Sequence, residues 1–265
     1  YDAPYVLGET TKNGYTFKNW THNSTIVPVY GDVWNIADNV ELKANWEIKT
    51  YTITYTLNEG TNPGNKATYT IEDASFKLTN PTKNGYNFKG WSGTGLTSDD
   101  NTEVWINTGS YGAREYTANW TIIEYAITYT GITAAENHTD NPATYTVTTP
   151  TITLKDPSKA GHTFKGWTTV GTESPTKNLQ IVEGSTGAKS YEAHFTVDTY
   201  TVTINVNASQ TGWGTVSPTS VTDVPYGTVI TVDADNKLKI ATSPEQYVTP
   251  TATVDATGEF TYTFN

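Results

Sequence analysis

The chain has 265 residues and a net charge of −11 at pH 7, from 16 Lys and Arg against 27 Asp and Glu. That balance argues against nucleic acid and against insertion at an anionic membrane, both of which call for a basic surface. The lack of cysteine excludes disulfides, thiolate metal sites and cysteine nucleophiles, and no apolar run reaches the ~18 residues of a membrane-spanning helix. The sequence opens on Tyr1 without a signal-peptide pattern, which reads as a mature or excised piece. Thr is about a fifth of the residues, with 18 Tyr and 8 Trp. Branched and flat side chains fit a pleated surface, so composition predicts a β-dominated fold, α+β at most.

In chain order, three segments share one pattern: Asn13-Gly-Tyr-Thr-Phe-Lys-Asn-Trp20, Asn84-Gly-Tyr-Asn-Phe-Lys-Gly-Trp91 and Ala160-Gly-His-Thr-Phe-Lys-Gly-Trp167. Each is followed by a closing segment: Glu41-Leu-Lys-Ala-Asn-Trp46, Glu115-Tyr-Thr-Ala-Asn-Trp120 and Ser190-Tyr-Glu-Ala-His-Phe195. Two of them are preceded by an opening strand, Tyr51-Thr-Ile-Thr-Tyr-Thr-Leu57 or Tyr125-Ala-Ile-Thr-Tyr-Thr-Gly131. A second strand follows each, Ala67-Thr-Tyr-Thr-Ile71 or Ala143-Thr-Tyr-Thr-Val147. In Tyr51–Leu57 the apolar residues alternate with threonine, the period of a half-buried strand. Such self-similarity is the signature of a repeat array. It divides the chain into an incomplete unit (1–49), two complete units (50–122 and 123–197) and a divergent all-β unit (198–265). Ile71–Leu78 and Pro175–Val182 are the places where a single turn or short helix is expected. The joints Thr121–Glu124 and Thr196–Asp198 hold no Gly or Pro run, so neighbouring units are expected to meet at a restricted angle.

With its Gly-aromatic-x-Phe-Lys-Gly-Trp segment, its closing Ala-Asn-Trp and its opening hairpin, the sequence resembles the Listeria–Bacteroides repeat. This is the B-repeat of internalin-type bacterial surface proteins. The last unit resembles the divergent form of the repeat, through Gly214–Pro218 and Val224–Thr228. Departures from the pattern are Asn19, His162 and Phe195. The resemblance implies small β-grasp-like units in an elongated tandem array, displayed outside a bacterium at the cell surface or secreted. It implies spacing, display or adhesion and no particular ligand.

Trp20, Trp91 and Trp167, with Trp46, Trp120 and Phe195, recur at fixed places and read as core anchors, since small units need large aromatics to bury enough surface. Trp34 and Trp105 each fall fourteen residues after the first Trp of their units, where the third unit has Ile181. That spacing suggests a packing slot. Trp213, between Gly212 and Gly214, sits in a turn-like context. Trp213, Trp34, Trp105 and Tyr111 are the candidate ligand contacts. His22, His138, His162 and His194 are not at metal-ligand spacing, and Ser98–Glu103 only approaches a calcium loop. No catalytic residue, metal or cofactor is expected. A Lys89 or Lys165 crosslink to Asn119 is conceivable, but the third unit has His194 there. Three functions follow: a non-enzymatic stalk or display segment of an adhesin; a module binding a host protein or glycan through loop aromatics; and a fibre subunit that binds copies of itself, because residues 1–49 lack an opening hairpin and leave a sheet edge to complete.

Overall fold

The computed structural model describes residues 4–28, 30–31, 38–171, 174–203, 220–232, 238–240 and 252–253. The chain divides into two units, Tyr1–Ile123 and Glu124–Asn265. All regular structure among the described residues is β.

In the first unit the strands are β1 (Tyr5–Val6), β2 (Tyr15–His22), β3 (Thr25–Val27), β4 (Tyr30–Gly31), β5 (Lys43–Ile48), β6 (Thr50–Thr56), β7 (Thr68–Thr70), β8 (Phe76–Lys77), β9 (Tyr86–Gly93), β10 (Trp105–Ile106) and β11 (Arg114–Ile122). Strands β3-β2-β5 form an antiparallel sheet, and β1 pairs with β4. The following repeat has a mixed sheet in the order β7-β6-β11-β9, with β11 parallel to β6 and antiparallel to β9, and a separate β8–β10 ribbon.

The second unit repeats this plan. Its strands are β12 (Tyr125–Thr130), β13 (Thr144–Tyr145), β14 (Ile152–Thr153), β15 (His162–Thr168), β16 (Gln180–Ile181), β17 (Lys189–Val197), β18 (Thr199–Thr203), β19 (Ser220–Pro225), β20 (Val229–Val232), β21 (Leu238–Ile240) and β22 (Ala252–Thr253). The sheet β13-β12-β17-β15 and the ribbon β14–β16 copy the second repeat, then come β18–β19 and β21-β20-β22.

No helix forms at either of the two places among the described residues, but one of them does hold a single turn. Thr70–Asp73 makes a single turn, closed by Asp73 N–H donating to Thr70 O at 3.2 Å, and β8 follows at once. Within Pro175–Val182 the chain forms β16. A helix would have to present an apolar stripe to the sheet. Here that place is taken by the ribbons, which supply Leu78 and Ile106 in one repeat and Leu154 and Ile181 in the next.

One device explains the Phe-Lys-x-Trp spacing. Residues three apart in a regular strand face opposite sides. In each repeat, however, one residue falls out of register, at Lys18, Lys89 and Lys165, between Phe17 and Asn19, Phe88 and Gly90, Phe164 and Gly166. A bulge adds one residue and returns the next side chain to the first face. Phe17 and Trp20, Phe88 and Trp91, and Phe164 and Trp167 thereby meet with ring centroids 5.4 Å apart.

Candidate interaction surfaces

Of the recurring tryptophans, Trp91 and Trp167 are core, while Trp20, Trp46 and Trp120 are partly buried. Trp91 and Trp167 are wholly buried. Trp91 packs on Tyr55, Phe88 and Tyr116, and Trp167 packs on Tyr129 and Phe164. Around them Ile53, Tyr69, Leu78, Ile106, Tyr116 and Ala118 are matched one for one by Ile127, Tyr145, Leu154, Ile181, Tyr191 and Ala193. Burial holds the Tyr55 and Tyr129 phenols neutral and pushes each up to about 12, with the stacked Tyr116 or Tyr191 adding a smaller push.

Trp105 is the exception. The spacing argument matched it with Ile181 and assigned it to packing, but strand pairing overturns that. Ile106 pairs with Phe76 and Ile181 with Ile152, so Ile181 corresponds to Ile106, and Trp105 corresponds to Gln180. A one-residue shift along a strand moves a side chain to the other face. Ile106 and Ile181 are therefore buried, while Trp105 stands 53% exposed opposite Lys77. Tyr111 is likewise 53% exposed. No ring contact joins Trp105 to Tyr111 among the described residues. Trp34 and Trp213 lie outside the described residues. Sequence reasoning missed a patch on the third repeat, where Val170 and Val182 are exposed beside Ile181 and Tyr191 along a groove of 530 Å³.

The polar side chains pair locally. Lys89 meets Asp99 at 2.7 Å, Lys77 meets Glu103 at 2.6 Å and Lys66 meets Asp73 at 2.9 Å. Those lysines hold the three carboxyls below the usual carboxylate range. Asp99 and Glu103 thus face lysines rather than converging, and no group of three metal-ligating side chains exists among the described residues. Lys89 is engaged by Asp99, while the Asn119 amide donates to Ser92 Oγ at 3.0 Å.

That last bond recurs, which sequence reading did not detect. The Asn45 amide donates to Thr21 Oγ1 at 3.0 Å, and His194 Nε2 lies 2.7 Å from Thr168 Oγ1. Each hydroxyl residue directly follows a repeat tryptophan. His194 does the work of the asparagine it replaces. His162 packs edge-on against Phe195 and Tyr226. Both histidines are structural.

A sequence profile of the Listeria–Bacteroides repeat domain matches residues 3–45, 51–122 and 125–189, more than half of the chain. The chain belongs to the Listeria–Bacteroides repeat family. This is a repeat domain of bacterial surface proteins and not an enzyme family. Among curated relatives, the Listeria–Bacteroides repeats here are 29% identical over 166 residues to a protein of Evansella cellulosilytica named as a candidate membrane protein. They are 28% identical over 166 residues to a second protein of that organism, named as a Gly-rich candidate membrane protein. Each match covers 59% of this chain but only 23% or 18% of the relative, so the chain spans less than a quarter of either. No solved structure matches. No helix among the described residues is long and apolar enough to cross a membrane.

Proposed function

We propose that these repeats form the stalk or display segment of a bacterial surface adhesin, in which units 1–49, 50–122, 123–197 and 198–265 follow one another as an elongated array. The observation that carries this reading is the rebuilding of one core, residue for residue, in consecutive repeats. A chain selected for spacing needs the same unit many times, and stability then adds up from units and neighbour contacts. Small-angle scattering tests it: a rod whose longest dimension grows as repeats are added supports the stalk, and a globule of constant proportions overturns it.

The exposed Trp105 and Tyr111 favour a second reading, in which variable-loop aromatics bind a host glycan or protein. Loss of a glycan-array or host-protein signal in Trp105→Ala would support it; the absence of any signal for the whole chain would end it.

A third reading is strand addition. Strand β11 has neighbours on both edges, whereas β5 is paired only with β2 among the described residues. Trp20, whose counterparts Trp91 and Trp167 are fully buried, is half-buried. A strand from another copy would cover that edge, as extended segments do when they add to open sheets. Sedimentation tests this: association at high concentration is expected, and a persistent monomer sinks the idea.

A further inference from the structure

The turn that opens each Gly-aromatic-x-Phe segment does more than reverse the chain. Gly14, Gly85 and Gly161 are buried and left-handed, with φ of +80°, +76° and +64°. The carbonyl of each accepts a bond from the residue just past the closing strand of the same repeat. Lys49 N–H donates to Gly14 at 2.8 Å, Ile123 N–H to Gly85 at 3.0 Å and Asp198 N–H to Gly161 at 2.9 Å. At Lys49 and Asp198 this is the one residue between the closing strand and the next opening strand.

At Gly14 and Gly161 the Cα face is occupied by the following repeat. A Cβ on Gly14 would come within 2.7 Å of three carbons of Ile71, the residue after β7. A Cβ on Gly161 would come within 2.0 to 2.4 Å of the Tyr226 ring, just after β19. Ile71 and Tyr226 hold equivalent places. Strand β7 pairs with β6 through Tyr69↔Tyr51, and β19 pairs with β18 through Val224↔Tyr200, so each lies two residues past its pair. Polar contacts flank both seats. Tyr15 donates its hydroxyl hydrogen to Glu72 at 2.5 Å, and Tyr226 N–H donates to Asp198 O at 2.9 Å.

We infer that the turn glycine is an inter-repeat seat: its missing side chain makes room for one large apolar plug from the next repeat's opening hairpin, Ile71 at one joint and Tyr226 at the other. The seat tolerates an aliphatic or an aromatic plug, and the adjoining carbonyl fixes where the next repeat begins. Neighbouring repeats are thereby coupled through a defined contact, and joint stiffness becomes a property of one glycine and one plug. This holds whether or not the array serves as a stalk, and scattering and joint stability can fail separately.

The test uses the whole chain and a double-mutant cycle of Gly14→Ala and Ile71→Ala. The readout is the rate of tryptic cleavage after Lys49, relative to cleavage after Lys177 in a loop of the third repeat. Ile71 lies outside the buried cluster of the second repeat, so near-ultraviolet circular dichroism of that core should persist. Cleavage at Lys49 should rise about five-fold or more in either single variant, because local opening exposes the joint. The double variant should be no faster than the worse single one, since both remove the same contact. Independently, Tyr226→Ala should accelerate hydrogen exchange of the Asp198 amide. Effects that multiply in the cycle, an unchanged Lys49 rate in Ile71→Ala or an unchanged Asp198 amide in Tyr226→Ala would overturn the seat.

Discussion

The two buried tryptophans offer a matched comparison. Trp91 and Trp167 each have a Phe ring at 5.4 Å and a tyrosine of the opening strand at 5.8 or 5.5 Å. Trp→Phe should leave similar voids in both, so the packing cost cancels in the comparison. The indole nitrogens differ. Trp91 Nε1 donates to Asn80 Oδ1 at 3.2 Å, whereas the buried Trp167 Nε1 has no acceptor among the described residues. The residue aligned with Asn80 is Asp156, whose carboxylate instead meets Lys177 at 3.1 Å. A hydrogen bond contributes about 1 kcal/mol net, while a buried donor without an acceptor costs about 1–3 kcal/mol. Trp91→Phe removes the first and Trp167→Phe removes the second. The third repeat should therefore tolerate its substitution better by about 2–4 kcal/mol. Because several units unfold in one chain, the assay should be native-state hydrogen exchange resolved by repeat, with opening energies compared within each. Asp156→Asn, which copies the second repeat, should stabilise the third by about 1 kcal/mol. Equal losses at the two tryptophans, or a greater loss at Trp167, would refute the reasoning.

Three further outcomes are expected. Gly90→Ala would drive its Cβ to 2.2–2.5 Å from the Asp100–Asn101 backbone; the second repeat should lose about 3 kcal/mol or more, read by urea melting. Asn119→Ala should cost that repeat about 1–2 kcal/mol, because Gly90 O and Ser92 Oγ lose their shared amide donor; the same melt checks it. The Tyr55 and Tyr129 phenols are raised from 10.0 to about 12 by burial, so folding favours their neutral forms. Their contribution is complete below the unfolded value and lost as pH climbs from 10 through about 12, a decline that thermal melts across that range should record in both complete repeats.

Much of this was legible because repetition supplies its own alignment. The half-buried opening strand follows from Tyr51, Ile53, Tyr55 and Leu57 alternating with exposed threonines. The core role of Trp91 follows from its recurrence as Trp167. What escaped detection depended on register. The bulge at Lys89 is invisible to a period-of-two reading, and the one-residue difference before Ile181 turned an exposed Trp105 into an apparent core position. The ribbon at Phe76–Lys77 lay within a stretch read as a turn or short helix because two residues are too few to show a period. The bond from Asn119 to Ser92 joins residues far apart in sequence; the hydroxyl after every repeat tryptophan is visible in the chain, but only strand pairing reveals that it meets Asn45, Asn119 or His194 of the closing strand.

These constraints restrict where binding could evolve. One face of each long strand is committed to the core, and the bulged segment must keep Phe88 and Trp91 on it. Gly90 leaves no space for a side chain beside Asp100 and Asn101, while Gly14 and Gly161 are filled by Ile71 and Tyr226. The stretch between the repeat tryptophan and the closing strand is less bound. In the first repeat it returns as a tight hairpin, with Asn23 and Ser24 both at positive φ, the geometry of a two-residue turn that matches strand twist. In the next it departs from Trp91, crosses at Asn101 and carries Trp105 outward. The closing strand pairs with the tryptophan strand in both cases, through Trp20↔Ala44 and Trp91↔Ala118. That loop can therefore change length and surface without altering the core. If any repeat of this array recognises a partner, the contact should differ from repeat to repeat, and substituting Trp105 should leave the other repeats' interactions untouched.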